Sequence, residues 1–242
     1  MKIAILGAAG RMGRMLTALA PSHGLEVVAK VDVADGFDRE WGSEVEGVVD
    51  FSHHSAVAAS ITKAASLGIP YVLGTTGLTA EEQAAVDDAA KKIPVVQSGN
   101  YSLGVNLMLG LVEKAAAALG SAYDIEIVEM HHRHKKDAPS GTAIMLAKSA
   151  ASARGIDYES STVFGRQGDT GERPQDEIAV HALRGGSVVG DHTVVFAGDV
   201  ERIEISHKAQ SREAFAAGAL AAIKWASGKR GGIYTMRNVL GL

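Results

Sequence analysis

The 242-residue sequence contains no cysteine, which excludes disulfide bonds, thiolate metal ligands and a cysteine nucleophile. It also lacks an excess of one charge, since 24 Lys and Arg residues stand against 28 Asp and Glu residues. This balance favours neither nucleic acid nor a membrane as a partner, and a small molecule is the expected ligand. The first apolar run ends at Gly7, which is too short for a signal peptide or a membrane span, so we expect a cytoplasmic protein.

Short apolar runs alternate with helical patterns through the first hundred residues. Such alternation predicts a parallel sheet with crossover helices. The predicted strands are 3–6, 26–31, 47–51, 71–73 and 95–97, and the predicted helices are 13–20, 55–67 and 80–92. Thr79 and Glu82 have the spacing of a capping box at the start of the last of these helices.

The pattern changes after a predicted helix over 106–119. Apolar or alternating stretches then follow at 123–130, 177–183, 190–197 and 200–207, with one predicted helix, 140–153, among them. Strands that cluster in this way are typical of a mixed or antiparallel sheet. The polar stretch 165–176 predicts a long loop, and the Ala-rich segment 212–227 predicts a final helix that returns to the first part.

We therefore expect an α/β protein of two domains. Residues 1–101 plus 212–242 are predicted to form a Rossmann-type, dinucleotide-binding domain on a parallel sheet. Residues 102–211 are predicted to form an α+β substrate domain on a mixed sheet. A chain of this length is long enough to bury two modest cores.

A glycine-rich turn follows the first predicted strand and opens the first helix. It reads Gly7-Ala8-Ala9-Gly10-Arg11-Met12-Gly13, and only its last glycine interval matches the usual dinucleotide fingerprint. Glycine lets backbone N–H groups approach a pyrophosphate at a helix N-terminus. The alternative is an ordinary tight turn that needs positive φ angles.

Asp32 favours the dinucleotide interpretation of this turn. It ends the second apolar run nineteen residues after Gly13, where a carboxylate would accept hydrogen bonds from an adenosine ribose. The alternative for Asp32 is a solvated acid in a turn. Position and chain order together make dinucleotide binding the preferred interpretation.

Two further turns follow apolar runs of the same half. They are Gly74-Thr75-Thr76-Gly77 and Ser98-Gly99-Asn100-Tyr101-Ser102. Ligands of an open parallel sheet bind at the carboxyl ends of its strands, so both turns are expected at the same crevice as the first. Ordinary turn chemistry is the alternative, because these residue types are common in loops.

The most informative segment follows the stretch 123–130. It reads His131-His132-Arg133-His134-Lys135-Lys136-Asp137-Ala138-Pro139-Ser140-Gly141-Thr142-Ala143. The six consecutive His, Arg and Lys residues at 131–136 are potential hydrogen-bond donors, and a helix is predicted to start after them with Pro139 in its first turn. Together they predict an anion site at which a carboxylate binds to backbone N–H groups. A solvated basic loop and a metal site are the alternatives, although the neighbouring cations would repel a metal and no H-E-x-x-H pattern is present.

This segment, H-H-R-H-K-x-D-A-P-S-G-T-A, strongly resembles the signature of the 4-hydroxy-tetrahydrodipicolinate reductase family, formerly called dihydrodipicolinate reductase. The resemblance covers nearly the whole chain and includes the GAAGRMG and GTTG turns and the runs Arg184-Gly185-Gly186 and Gly190-Asp191-His192. One departure is S-G-N-Y-S-L-G-V from Ser98, where the family more commonly has A-P-N-F-S-x-G-V. The departure removes a proline but keeps Asn100.

The resemblance implies a reductase that converts a cyclic hydroxylated imine dicarboxylate to tetrahydrodipicolinate, with loss of water and with hydride from NADH or NADPH. In the family, the residue that matches His131 is an acid/base residue and the one that matches Lys135 is a proton donor. The expected substrate-binding residues are His132, Ser140, Gly141, Thr142 and Arg184. The expected cofactor-binding residues are Gly7, Ala8, Ala9, Gly10, Arg11, Met12, Asp32, Gly74, Thr75, Thr76, Ser98, Gly99, Asn100 and Tyr101. No metal ion is expected.

The resemblance also implies a homotetramer assembled through the sheet of the second domain, with the strands at 190–207 supplying an edge. NADH is expected to serve at least as well as NADPH, because Asp32 would repel a 2′-phosphate. Lys30 and Arg11 would soften that discrimination.

Two other functions remain open at this point. One is a dehydrogenase of another small amino or keto dicarboxylate, which would share the nucleotide domain but would not need the segment from His131. The other is a non-catalytic NAD(H) sensor, which would bind the nucleotide and consume none of it.

Overall fold

The computed structural model of the protein describes residues 1–32 and 40–242, which divide into two units. The first unit comprises Met1–Leu103 and Glu213–Leu242, and the second comprises Gly104–Arg212. The chain thus leaves the first unit once and returns to it through its C-terminal segment.

A six-stranded parallel sheet forms the centre of the first unit. Its strands are β1 (Lys2–Leu6), β2 (Glu26–Val31), β3 (Gly47–Asp50), β4 (Tyr71–Leu73), β5 (Pro94–Gln97) and β11 (Gly232–Tyr234). Its helices are α1 (Arg11–Leu19), α2 (His54–Leu67), α3 (Ala80–Ala90), α7 (Glu213–Ala226) and α8 (Met236–Leu240), with a short 3-10 helix at Ala20–His23. The strand order is β11-β5-β4-β3-β1-β2, and every neighbouring pair is parallel.

Helices cover both faces of this sheet because both faces of its strands are apolar. Ile3 and Ile5 of β1 pack in one core with buried residues of α7, whereas Ala4 and Leu6 pack in another with buried residues of α2. β1 pairs with β2 on one side and with β3 on the other, so the strand order reverses at this point. In open α/β sheets, such a reversal opens a crevice at the carboxyl ends of the strands.

The second unit contains a five-stranded mixed sheet. Its strands are β6 (Asp124–His131), β7 (Thr162–Val163), β8 (Ile178–Arg184), β9 (Asp191–Ala197) and β10 (Arg202–Lys208). Its helices are α4 (Leu103–Leu119), whose first residue belongs to the first unit, α5 (Gly141–Arg154) and α6 (Tyr158–Ser161), with a 3-10 helix at Gly120–Ala122. The order is β10-β9-β6-β8-β7, in which β6 runs antiparallel to β9 and parallel to β8.

The central strand β6 alternates between buried and half-buried residues along its whole length. Ile125 and Ile127 lie in the core with residues of α4 and α5. Because the side-chain period of a strand is two, Glu129 and His131 continue the same buried face. The apolar face of β6 thus ends in two titratable residues.

One helical stretch of the described chain, Leu103–Ala122, is long and apolar enough to cross a membrane by length and composition, with a mean hydropathy of 1.4. Core helices of soluble proteins pass the same test. Val112 and Ala116 of this stretch are fully buried in the core of the second unit. The finding is therefore weak evidence for a membrane span.

These two sheets confirm the predicted α/β fold with a Rossmann-type parallel sheet and a second, mixed sheet. The capping box is also confirmed, since Thr79 and Glu82 form both of its hydrogen bonds. The sequence analysis missed β7, β11, α6 and α8, which have two to five residues each and are too short for a periodic pattern, so the predicted helix over 212–227 is not the final one. Pro139 lies before α5 and not in its first turn, because Ser140 is the N-cap of that helix.

Candidate active site

Three turns at the carboxyl ends of β1, β3 and β4 line one cleft of the first unit. The cleft has a volume of about 420 Å³, within the range of small-ligand sites. It is lined by Gly10, Arg11, Met12, Phe51, Ser52, His53, His54, Gly74, Thr75 and Thr76. Of the expected cofactor residues, the structure brings Gly10–Met12 and Gly74–Thr76 together in this cleft. It adds the residues from Phe51 to His54, which the sequence analysis missed.

The glycines of the first turn are required by close backbone approach. Gly7 has a φ of +74°, and a Cβ there would lie 2.3 Å from the carbonyl oxygen of Phe51. A Cβ at Gly13 would lie 2.2 Å from the carbonyl oxygen of Gly7. These are the roles that the first and last glycines of a dinucleotide fingerprint have, namely a tight turn and close packing of helix on strand.

The helix that follows this turn has a suitable N-terminus for an anion. Gly10 is the N-cap of α1 and provides no side-chain cap, and the first helical turn contains no acidic residue. The N–H of Ala9 donates to Asp32 Oδ2, and Arg14 Nη1 donates to the carbonyl of Ala9. This glycine cradle with an uncapped helix end fits the pyrophosphate of a dinucleotide.

Asp50, at the end of β3, contacts Thr75 of the turn Gly74–Gly77. The sequence analysis did not predict it as a site residue. It is fully buried, and Thr75 Oγ1 lies 3.0 Å from Oδ1 while Tyr71 Oη lies 2.5 Å from Oδ2. The N–H of Ser52 donates to Asp50 Oδ1 at 2.8 Å and lies 3.0 Å from Thr75 Oγ1. Burial raises the pKa of Asp50, although the hydrogen bonds from Ser52, Tyr71 and Thr75 oppose the rise.

The turn Ser98–Ser102, which follows β5, is held by its own polar side chains. Ser98 Oγ donates to the carbonyl of Asn100 at 2.7 Å, and Asn100 Oδ1 accepts from the N–H of Ser102 at 2.9 Å. Gly99 is exposed, whereas Tyr101 is only 2% exposed. The Tyr101 hydroxyl lies 2.8 Å and 2.7 Å from the carbonyl oxygens of Leu73 and Val96, so its side chain belongs to the core beneath the turn.

In the second unit, Glu129 is the centre of a buried polar cluster. Its Oε1 accepts from Ser140 N at 2.9 Å and from Arg184 Nη2 at 2.9 Å. Its Oε2 accepts from Arg184 Nη1 at 2.8 Å and lies 2.6 Å from His131 Nδ1. Burial alone would raise the pKa of Glu129, but the bonds from Arg184, His131 and Ser140 outweigh it and hold the pKa below its usual value.

His192 packs against this cluster from the neighbouring strand β9. Its ring lies 5.2 Å from the ring of His131, edge to face, and its Nε2 lies 2.9 Å from Ser140 Oγ. Burial is the main reason that the pKa of His192 falls to about 4, with the neighbouring His131 adding to the shift. His192 is therefore neutral at physiological pH.

The remaining expected residues of the segment differ in exposure: Ser140 is buried, whereas His132 and Lys135 are half-buried. Ser140 is 2% exposed and caps α5 by accepting from Ala143 N at 3.2 Å. Desolvation, followed by the charge of Arg212, lowers the pKa of His132. Lys135 Nζ lies 2.8 Å from Asp137 Oδ2, and its side chain is 20% exposed. Gly141 is exposed and Thr142 half-buried at the first turn of α5.

Arg184 differs most from its expected role at the substrate. Besides the two bonds to Glu129, Nη1 donates to the carbonyl of Leu183 at 2.6 Å and Nη2 to that of Asp137 at 2.7 Å. Its Nε is buried without a hydrogen-bond partner among the described residues. All four Nη hydrogens are thus used inside the protein, which leaves none for a ligand.

The sequence analysis missed Glu129, Asp137 and His192 as site residues. A signal existed for Glu129, because the alternation of β6 places this carboxylate on the face of Ile125 and Ile127. Asp137 and His192 give no comparable signal, since their partners lie on other segments. Within residues 1–32 and 40–242, no group of three or more His, Asp or Glu side chains is placed to hold a metal ion.

Curated relatives match the chain over its full length. A 4-hydroxy-tetrahydrodipicolinate reductase from Akkermansia muciniphila is 46% identical over 247 aligned positions, which cover 99% of this chain and 98% of the relative. One from Alkalilimnicola ehrlichii is 45% identical over 264 positions, covering 100% and 99%. A dipicolinate-bound dihydrodipicolinate reductase from Paenisporosarcina sp. TG-14 shares the fold, with a TM-score of 0.79 and 24% identity over 98% of each chain.

With the Rossmann-type sheet and the glycine cradle, these relatives define the class of the protein, an NAD(P)H-dependent oxidoreductase. Family models then account for almost every residue. Residues 1–101 match the N-terminus of dihydrodipicolinate reductase, and residues 104–240 match its C-terminus. The chain belongs to the dihydrodipicolinate reductase family.

Proposed function

We propose that this chain reduces 4-hydroxy-tetrahydrodipicolinate to tetrahydrodipicolinate, with loss of water, in the biosynthesis of lysine and diaminopimelate. The observation that carries the proposal is the buried Glu129–His131 pair at the N-terminus of α5. Arg184 joins Glu129 to the backbone of Asp137, whose side chain pairs with Lys135. The relatives that match the chain over its length are named 4-hydroxy-tetrahydrodipicolinate reductase. Hydride arrival makes a ring electron-rich, so a proton must follow, and two carboxylates need cationic or N–H partners.

Within this proposal, His131 acts as an acid/base residue and Lys135 as the proton donor. His132, Gly141 and Thr142 hold the substrate, and Ser140 contributes as the N-cap that directs the first N–H groups of α5 outward. Lys135 is paired with Asp137, and the substrate carboxylates would compete with that exposed acid for the ammonium group.

The nucleotide would bind in the cleft of the first unit. Gly7 to Met12 would face the pyrophosphate, Asp32 the ribose, and the turns at Gly74–Thr76 and Ser98–Tyr101 the rest of the dinucleotide. When bound, the reduced nicotinamide supplies the hydride. We propose use of both NADH and NADPH with a preference for NADH, because the carboxylate of Asp32, which accepts from the N–H of Ala9 in the glycine turn, would repel a 2′-phosphate.

A spectrophotometric assay tests the proposed function. Freshly generated substrate is supplied with NADH and, separately, with NADPH, and loss of reduced nicotinamide is followed. The proposal expects turnover with both. Turnover only with another amino or keto dicarboxylate would identify a different dehydrogenase, and nucleotide binding without any turnover would identify a sensor.

We further propose that the protein is a cytoplasmic homotetramer assembled through the mixed sheet. Strand β10 lies at the edge of that sheet: one side of it pairs with β9, and the backbone of its other side faces no strand of the described sheet and could pair with a strand of another chain. Light scattering at micromolar concentration should give the mass of four chains. A monomer under these conditions would reject this assembly.

A further inference from the structure

We propose that Glu129 is a positioning residue that fixes the tautomer and the orientation of His131, and that Arg184 holds the carboxylate of Glu129 in place. This inference rests on the proposed acid/base role of His131. It assigns functions to one residue that the sequence analysis overlooked and to another that it placed at the substrate.

The contacts of Glu129 decide which ring nitrogen of His131 carries a hydrogen. The carboxylate is fully buried and its pKa is held below the usual value, so it is ionised and can only accept hydrogen bonds. His131 Nδ1, at 2.6 Å from Oε2, must therefore be the protonated nitrogen. Nε2 is left with the lone pair in the neutral ring and becomes the acidic N–H in the cation, so Nε2 is the nitrogen that exchanges protons.

The carboxylate cannot rotate away from this arrangement. Both Oε atoms bond to the guanidinium of Arg184, and Oε1 also accepts from the backbone of Ser140. A bidentate pair of this kind fixes the plane of the carboxylate. Arg184 also neutralises most of the charge of Glu129, so the effect on His131 is mainly one of orientation.

Neighbouring residues hold the other side of the His131 ring. The ring of His192 contacts it edge to face, and Gly190 passes close to Nε2. A Cβ at Gly190 would lie 2.9 Å from Nε2 and would cover the reactive nitrogen. The imidazole is thus held with Nδ1 on Glu129 and Nε2 next to Gly190. Because glycine has no Cβ, Nε2 is left uncovered on that side.

Glu129→Gln provides a defined perturbation of this arrangement. If the new amide NH₂ replaced Oε1, it would face two donors, Ser140 N and Arg184 Nη2. At Oε2 it would face only one fixed donor, Arg184 Nη1, and this orientation is therefore favoured. The amide would then donate to His131 Nδ1, which must become the acceptor, so that the hydrogen moves to Nε2 and the ring adopts the wrong tautomer.

The test is a double-mutant cycle on reductase activity, with Glu129→Gln and His131→Gln made singly and together. We expect Glu129→Gln to lower kcat about 10²-fold at nearly unchanged KM, the lower end of the range for acid/base catalysis. In the His131→Gln background the same change should lower kcat less than about twofold, because no ring remains to be positioned. Equal losses in both backgrounds would show a general structural effect and overturn the proposal.

Glu126→Gln is the matched control. Glu126 lies on the same strand and, like Glu129, is paired with arginine, in this case with both Arg166 and Arg173, but it faces the opposite side of the sheet. It should leave kcat within about twofold of the unchanged protein, since a substitution distant from the reacting groups alters only local stability. A loss as large as that of Glu129→Gln would contradict the specific role of Glu129.

Nitrogen-15 NMR of the imidazoles in the unsubstituted protein tests the same proposal even where Glu129→Gln fails to fold. At a pH where His131 is neutral, its Nδ1 should be the protonated nitrogen and its Nε2 the bare one. The reverse assignment would overturn the proposal. Because this readout needs no substrate, it separates a failure of the positioning role from a failure of the proposed reaction.

Discussion

Among residues 1–32 and 40–242, each unit has one fully buried carboxylate near the carboxyl end of a strand, Asp50 in the parallel sheet and Glu129 in the mixed sheet. Both are inaccessible to solvent. The neutral groups of Tyr71, Thr75 and Ser52 surround Asp50, and its pKa is raised. Glu129 has the guanidinium of Arg184 as a partner, and its pKa is lowered. Equal burial therefore has opposite consequences, and the charge of the partner decides which one follows.

The same difference separates the chemistry of the two units. The cleft of the first unit combines glycine and threonine turns with the side chains of Arg11, His53 and His54, and Asp50 sets the position of Thr75. The glycine turn and the uncapped N-terminus of α1 suit a phosphate-bearing ligand. The second unit concentrates ionisable side chains around His131 and Lys135, which is what proton transfer requires.

The largest expected effect comes from removing a charge of the second unit. Lys135→Ala should lower kcat by about 10²- to 10⁴-fold, even at saturating substrate, if this lysine donates the proton. Binding of NADH, measured by fluorescence titration, should not change, because Lys135 lies outside the cleft of the first unit.

Lys136→Ala is the internal control for that experiment. Lys136 has the same charge but is exposed, whereas the Lys135 side chain bonds to Asp137. If Lys136→Ala loses kcat and Lys135→Ala does not, the assignment is wrong by one residue. If both retain kcat, the proton comes from another donor, such as His131 or bound water.

The pH dependence of stability compares the two buried carboxylates directly. Because the folded pKa of Asp50 lies above its ordinary value of 3.8, the folded state binds the proton more tightly, and stability falls as pH rises from 3.8 through the raised pKa. The folded pKa of Glu129 lies below 4.5, so its contribution is present above pH 4.5 and is lost as pH falls through the lowered pKa. Urea unfolding of Asp50→Asn and Glu129→Gln across this acidic range measures both effects.

Relative to the unsubstituted protein, Asp50→Asn should gain stability as pH rises through the window of Asp50. Glu129→Gln should instead lose stability as pH rises from the lowered pKa of Glu129 toward 4.5. Opposite slopes support the comparison between the two sites. Slopes of the same sign would show that burial, and not the partner, determines both pKa values.

The smallest effect is expected on cofactor preference, from removing the charge of Asp32 in the first unit. Asp32→Ser should change the ratio of kcat/KM for NADPH over NADH in favour of NADPH by about tenfold, the size of one lost charge-assisted hydrogen bond. Glu26→Gln, at the opposite and exposed end of β2, is the control and should leave the ratio unchanged. An unchanged ratio in Asp32→Ser would show that this carboxylate does not contact the ribose. A strong preference of the unsubstituted protein for NADPH would lead to the same conclusion.

Much of the fold could be predicted from the sequence because its signals are local. The strands of the first unit are short apolar runs bounded by turns, and the capping box of Thr79 and Glu82 depends on residues three positions apart. The segment from His131 to Thr142 is contiguous, so its resemblance to a family signature needed no structure. The edge strand β11 has three residues and pairs with β5, more than a hundred residues earlier, so local pattern could not reveal it.

The sequence by itself determined the class of fold, the position of the glycine turn and the segment that carries the proposed chemistry, since each depends on neighbouring residues. Only the tertiary structure decided what individual side chains do within that frame. Arg184 is 55 residues from Glu129 and Ser140 is 52 from His192, so their pairings appear only when strands and helices pack together. Tyr101 is predicted from the sequence as a crevice residue, yet its ring is buried in the core, where its hydroxyl lies within hydrogen-bond distance of the carbonyl oxygens of Leu73 and Val96. Long-range pairing is set by packing of the whole sheet, and for that reason Glu129 emerged as the centre of the site only in three dimensions.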